Sequence, residues 1–228
     1  MTPKDQELVV RVPAGPATLE GNLSVPEGAR GIVLFAHGSG SGRHSTRNRH
    51  VARLLNEAKL ATLLVDLLTS DEETVDLRTA HLRFDIGLLA ERLVGVTDWL
   101  TQSPDTRHLR IGYFGASTGA AAALVAAAVR LDVVGAVVSR GGRPDLAGPA
   151  LPRVRAPTLL IVGGNDVQVI ELNRWALAQL RTEKRLVIIP GATHLFEEPG
   201  ALDQVAAYAR EWFERHFRTE HTPAAGAG

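Results

Sequence analysis

Cysteine is missing from all 228 residues, methionine occurs once, and 25 Lys and Arg balance 25 Asp and Glu, so the formal net charge is zero. Without cysteine there is no disulfide framework, no thiolate metal site and no cysteine nucleophile. Without a basic excess there is no electrostatic footprint for nucleic acid. Long hydrophobic runs are lacking too. The longest, 32–36 and 120–129, fall well short of the roughly 20 residues that a bilayer-spanning helix needs. The opening Met1-Thr2-Pro3-Lys4-Asp5-Gln6-Glu7 has no apolar stretch of the secretory kind. These absences predict a cytoplasmic chain that needs no metal, cofactor, nucleic acid or membrane. They leave a homodimer open.

What is present fits one domain with a sizeable core: 45% hydrophobic and 22% charged residues. The predicted domain covers 1–218. The last ten residues, 219–228, end in Thr222-Pro223-Ala224-Ala225-Gly226-Ala227-Gly228 and read as a flexible tail or linker. Segments 7–12 and 18–25 alternate apolar and polar residues around Pro13-Ala14-Gly15-Pro16 and predict an antiparallel hairpin. A continuous apolar run at 31–36 suits a strand buried on both faces, and further strands are expected at 61–67, 109–114, 133–138, 158–162 and 185–189. Helices are expected at 47–58, 83–100, 117–130, 169–180 and 201–217. Strand-then-helix alternation after a hairpin predicts an α/β fold with a mostly parallel sheet of about eight strands, flanked by helices on both faces.

Gly115-Ala116-Ser117-Thr118-Gly119 lies between a predicted strand and an alanine-rich helix. That is the setting of a nucleophile elbow, where a tight turn exposes the serine hydroxyl at the sheet's end. The rival reading is a glycine-rich turn with no chemistry. A serine hydroxyl needs an adjacent base. His194, in Pro190-Gly191-Ala192-Thr193-His194, follows the last strand; Asp166, in Gly163-Gly164-Asn165-Asp166, follows the one before it. Both are therefore expected at the end of the sheet where Ser117 emerges. Alone, Asp166 reads as a helix cap and His194 as a surface residue. Together they give the chain order Ser, Asp, His of a triad on this fold.

An oxyanion hole needs two donors. The Thr118 amide is one. The other is expected from His37-Gly38-Ser39-Gly40-Ser41-Gly42, with Ser39 first and Gly38 and Gly40 next to it. The same loop lacks the Lys-Ser/Thr ending of a phosphate-binding P-loop. His37 reads as a structural hydrogen-bonding residue.

These motifs, spread over residues 8–217, resemble the dienelactone-hydrolase-like branch of the α/β-hydrolase superfamily. The resemblance implies an α/β-hydrolase fold with a Ser117–His194–Asp166 triad acting through an acyl-enzyme. Dienelactone hydrolases use a cysteine nucleophile, and Ser117 at that position favours ordinary ester hydrolysis over lactone opening. Similar hydrolase domains are also found joined to phosphoribosyltransferase domains.

The expected substrate is a small carboxylic ester. Thioesterase, lactonase or peptidase action would use the same triad, and a non-catalytic binding module is the reading from another class. Arg140 and Arg143, after the 133–138 strand, are candidates for holding an acidic substrate group, against the simpler reading of a solvated loop. Arg43, Arg47 and Arg49 also read most simply as solvated, and Asp71-Glu72-Glu73 as a loop or helix start. The breaker-rich segment 139–157 has room for one short helix, and 68–82 is a polar segment. No cap domain is expected, and so the site is predicted to be shallow and to favour short acyl groups.

Overall fold

A computed structural model describes residues 7–218; the predicted tail 219–228 lies outside the described residues. Eight strands form one sheet in the order β1-β2-β4-β3-β5-β6-β7-β8. β1 (Leu8–Ala14) and β2 (Ala17–Ser24) make the predicted hairpin, paired from Leu8↔Leu23 to Ala14↔Ala17. β2 is also antiparallel to β4 (Ala61–Val65). The other pairs, involving β3 (Gly31–Ala36), β5 (Arg110–Ala116), β6 (Val134–Arg140), β7 (Thr158–Gly163) and β8 (Lys184–Ile189), are parallel. Every residue of β3, β4 and β7 is buried, as strands covered on both faces require.

α1 (Thr46–Glu57) and α6 (Ala201–Phe217) cover one face, packing with Val33, Phe35, Phe114 and Val138. α2 (Ser70–Thr79) leads into a 3-10 turn at Leu82–Phe84. The opposite face carries α3 (Ile86–Gln102), α4 (Thr118–Val129) and α5 (Val167–Gln179), around Leu93, Tyr113, Leu124 and Ala176. β4 pairs with one edge of β3 and β5 with the other. The connections diverge there, and the crevice at the carboxyl ends of such strands is where open α/β sheets bind ligands.

α4 is apolar all round, with ten of its twelve residues buried and seven of them alanine. Small side chains let it lie close against the sheet. The approach is tightest at its start: a Cβ on Gly119 would fall 2.2 Å from the Ala36 carbonyl oxygen, and one on Gly115 2.4 Å from Ala120 Cα. Both elbow glycines are thus fixed by backbone contact.

Two elements depart from the expected pattern. The polar segment 68–82 holds a helix, α2, capped by Thr69 and Glu72, which exchange hydrogen bonds with each other's backbone amides. Thr69-x-x-Glu72 is a capping-box signature, so the signal was local. α3 begins three residues later than periodicity predicts because Asp85 caps it, accepting from the Leu88 amide at 3.0 Å. Between β6 and β7 the chain forms only a 3-10 segment, Pro144–Arg153, interrupted at Gly148. No cap domain is inserted there.

Candidate active site

Ser117 closes β5 and opens α4 at φ 50°, ψ −123°. A non-glycine residue there is strained by about 1–3 kcal/mol and persists only when its surroundings hold it. Three backbone bonds do so. The Ser117 amide donates to the Arg140 carbonyl at 3.3 Å, and the Ser117 carbonyl accepts from Ala120 and Arg143 amides at 3.1 and 3.0 Å. The ends of β5 and β6 therefore clamp the elbow.

Asp166 stands at the N-cap of α5, the position that suggested a capping role, yet its side chain makes no cap bond. It turns instead to His194, with Asp166 Oδ2 2.6 Å from His194 Nδ1. The carboxylate accepts the Nδ1 proton and leaves Nε2 with a lone pair. His194 Cε1 lies 3.7 Å from where Gly141 would carry a Cβ, and Gly141 follows the Arg140 carbonyl that holds Ser117. The histidine–carboxylate pair and the turn that carries Ser117 thus lie at the same end of the sheet. Among the described residues Ser117 Oγ and His194 make no hydrogen bond. Catalytic hydrogen bonds are often unformed in serine sites before substrate arrives.

The oxyanion loop starts at His37, whose role is structural. The Leu67 amide donates to its Nε2 at 3.0 Å, so Nδ1 carries the proton and donates to the Gly38 carbonyl at 2.9 Å. Burial holds the ring below its ordinary pKa, against smaller opposing effects from Gly38 and the Asp66 and Glu73 carboxylates. The neutral ring ties the loop to the end of β4. Gly38 abuts the nucleophile: a Cβ there would lie 2.9 Å from Ser117 Cβ. The Thr118 amide, first of α4, has no acceptor among the described residues, as helix starts allow. Ser39 differs from expectation. Its amide is already donated to Thr118 Oγ1 at 3.0 Å.

The two arginines proposed for an acidic substrate group do not converge on the site. Arg143 is forked onto Asp145, with Nε and Nη2 at 2.9 and 2.8 Å from the carboxylate oxygens. Asp145 is thereby engaged by Arg143 and is not free to partner a histidine. Arg140 is buried, with Nη2 3.4 Å from Asn48 Oδ1 and its guanidinium 5.9 Å from the Phe196 ring centre. Burial, and then the nearby Arg47, push its pKa down to about 10. Arg43 is not a solvated side chain either; it pairs with Asp66 and with Glu20. One supporting residue escaped the sequence reading. Buried Asn173 on α5 donates to the Gly142 carbonyl at 3.0 Å and to Val169 at 2.8 Å, fixing the turn beside His194. No motif announces it.

A pocket of about 100 Å³ adjoins the oxyanion loop, between His37–Ser41, Leu68 and Leu89 on one side and Glu73, Asp76 and Leu77 of α2 on the other. His194 and Asp166 side chains are 40% and 15% exposed, so the site is open. Among the described residues no helix is long and apolar enough to cross a membrane, and no group of three or more His, Asp or Glu side chains could hold a metal ion.

The sequence model of the dienelactone hydrolase family matches residues 26–219. Dienelactone hydrolase from Anabaena variabilis ATCC 29413 is similar in structure, with a TM-score of 0.92 and 68% identity over 93% of this chain and 99% of that one. XC6422 from Xanthomonas campestris, described as an α/β serine hydrolase without lid, shares the fold at TM-score 0.73 and 20% identity, covering 92% of this chain and 94% of its own. Two Mycobacterium tuberculosis proteins, from strains CDC 1551 / Oshkosh and H37Rv, bear the name phosphoribosyl transferase and are each 60% identical over 213 residues. The match takes in 93% of this chain and 47% of theirs, so the chain spans about half the length of the curated relatives it matches.

Proposed function

We propose, since the chain belongs to the dienelactone hydrolase family, that it is a serine hydrolase which cleaves small carboxylic esters through an acyl-enzyme. Ser117 Oγ attacks the ester carbonyl while His194 Nε2 takes its proton. The oxyanion forms beside the start of α4. His194 then returns the proton to the leaving alcohol as the C–O bond breaks. Water, activated by the same ring, attacks the acyl-Ser117 carbonyl and releases the acid. Asp166 holds the ring in the tautomer that leaves Nε2 basic and stabilises the imidazolium as it forms.

The observation that carries this reading is the Asp166–His194 contact at 2.6 Å. An aspartate at an N-cap ordinarily bonds its own helix, a gain of about 1 kcal/mol. Asp166 forgoes that bond for a histidine 28 residues away. A binding module has no use for such an arrangement.

A fluorophosphonate probe tests the reading. The wild-type protein should be labelled at Ser117, and Ser117→Ala should lose labelling together with at least ~10⁴-fold of its ester turnover, at nearly unchanged Tm. Retention of more than about a tenth of wild-type turnover would show that Ser117 is not the nucleophile.

A further inference from the structure

The Ser39 amide is occupied. We infer that the second oxyanion donor is the Thr118 hydroxyl, polarised by the Ser39 amide behind it. This rests on the serine-hydrolase reading above. The Ser39 N–H is donated to Thr118 Oγ1 at 3.0 Å. That bond uses a lone pair of the hydroxyl and leaves its proton, which has no acceptor among the described residues. Thr118 is only 4% exposed and directly follows the nucleophile. Its own amide is unpaired at the positive end of α4. Gly38, which abuts Ser117, brings the loop to the same point. One residue, directly after Ser117 in the chain, therefore carries two unspent donors, N–H and O–H.

As Ser117 Oγ bonds to the carbonyl carbon, the C=O π pair moves onto oxygen, and His194 holds the serine proton. The oxyanion accepts from Thr118 N–H and from Thr118 Oγ1–H. The chain Ser39 N–H···Thr118 O–H···O⁻ is cooperative, each bond polarising the next. When the intermediate collapses the pair returns to the C=O bond, and the alcohol leaves with the proton from His194. Thr118 is then a catalytic residue twice over, and Ser39 a positioning residue that acts through it.

The test compares wild type with Thr118→Val, Thr118→Ala and Thr118→Ser on p-nitrophenyl acetate, together with the inhibition constant of a trifluoromethyl ketone, whose hemiketal puts an oxyanion in the hole. Val and Ala should lose kcat on the order of 10²-fold with KM little changed, ketone affinity should weaken in parallel, and Ser should restore most of the loss. A Val variant within about threefold of wild type overturns the inference. So does an Ala variant at or above wild type, which would mean that the hydroxyl only plugs the hole until the Ser39 amide is needed. Equal losses in Ser and Val would assign the effect to the threonine methyl and also overturn it. Tm guards against misfolding, and if Val fails to fold, the Ala and Ser pair decides. Absence of fluorophosphonate labelling in the wild type would instead bring down the serine-hydrolase reading and this inference with it.

Discussion

Helices α4 and α2 border the same site and are held by opposite means. α4 buries ten of twelve residues, and the Ser117 turn at its start is clamped between two strand ends. α2 buries one residue of ten, and that residue is Asp76. Its anchors are polar: Asp76 accepts from the Leu82 and Arg83 amides at 2.8 and 3.1 Å and from Arg83 Nε at 2.5 Å, and Glu72 pairs with Arg92 at 2.5 Å. Apolar burial of the α4 kind leaves little freedom, because every neighbour is touched on all sides. Directional polar anchors of the α2 kind can open locally at small cost. The proposed nucleophile thus sits on the rigid side and the rim on the loose side, and changes to the two should fail in different ways.

The largest effect belongs to the rigid side. Asp166→Asn keeps the shape but cannot hold the His194 tautomer, so kcat should fall on the order of 10⁴-fold while Tm stays near wild type. An active Asn variant would break the division outright, because Asp145, forked onto Arg143, is not free to replace Asp166. Next comes the rim. Asp76→Ala removes the acceptor of three hydrogen bonds and should cost about 1–3 kcal/mol, seen as α2-specific hydrogen exchange or proteolysis rather than global melting. Turnover of p-nitrophenyl acetate should hardly change. If kcat collapses along with α2, the rim belongs to the chemistry.

Substrate length gives a smaller effect. The His194 side chain is 40% exposed and the neighbouring pocket beside the 37–41 loop holds only about 100 Å³, which leaves little wall to bury a chain, and each methylene that was buried would add roughly 0.8 kcal/mol. The kcat/KM series on p-nitrophenyl esters should peak at about two to four carbons, by roughly tenfold over eight. An optimum at eight carbons or more would mean that α2 moves to make a tunnel. The smallest effect is on pH. His37 binds its proton less readily when folded than unfolded, since burial lowers its pKa. Below about 6.5 the unfolded chain takes up the proton first, so stability should fall as pH drops from there toward the folded pKa. Melting curves from pH 7 down to 5 check the sign, and a His37→Gln variant should show a flatter dependence.

What could be read ahead of the coordinates was whatever is local in the chain. Alternation marked the two hairpin strands and apolar segments the other six, and residues just past three of those brought Ser117, Asp166 and His194 to one end of the sheet. At α2 only a helix start was left open, against a loop, because its helical signal is a four-residue capping box without an apolar stripe. The contacts that tune the site were beyond reach for a different reason. Ser39 meets Thr118 across 79 residues, Arg140 meets Asn48 across 92, and Asn173 reaches Gly142 across 31. Each joins a side chain to a distant element through geometry that no periodicity encodes. Arg140 shows the cost: its charge was visible, and its partner was not.

The proposed triad makes position 166 a place where catalysis and helix stability compete. Its side chain is placed where it could cap α5, and it serves a histidine instead. In a descendant relieved of catalysis that constraint would lapse. A serine or asparagine that bonds the helix's own amides would then gain the stability now forgone. Among relatives of this fold, the residue at the start of this helix should therefore separate working enzymes from retired ones more sharply than overall similarity does.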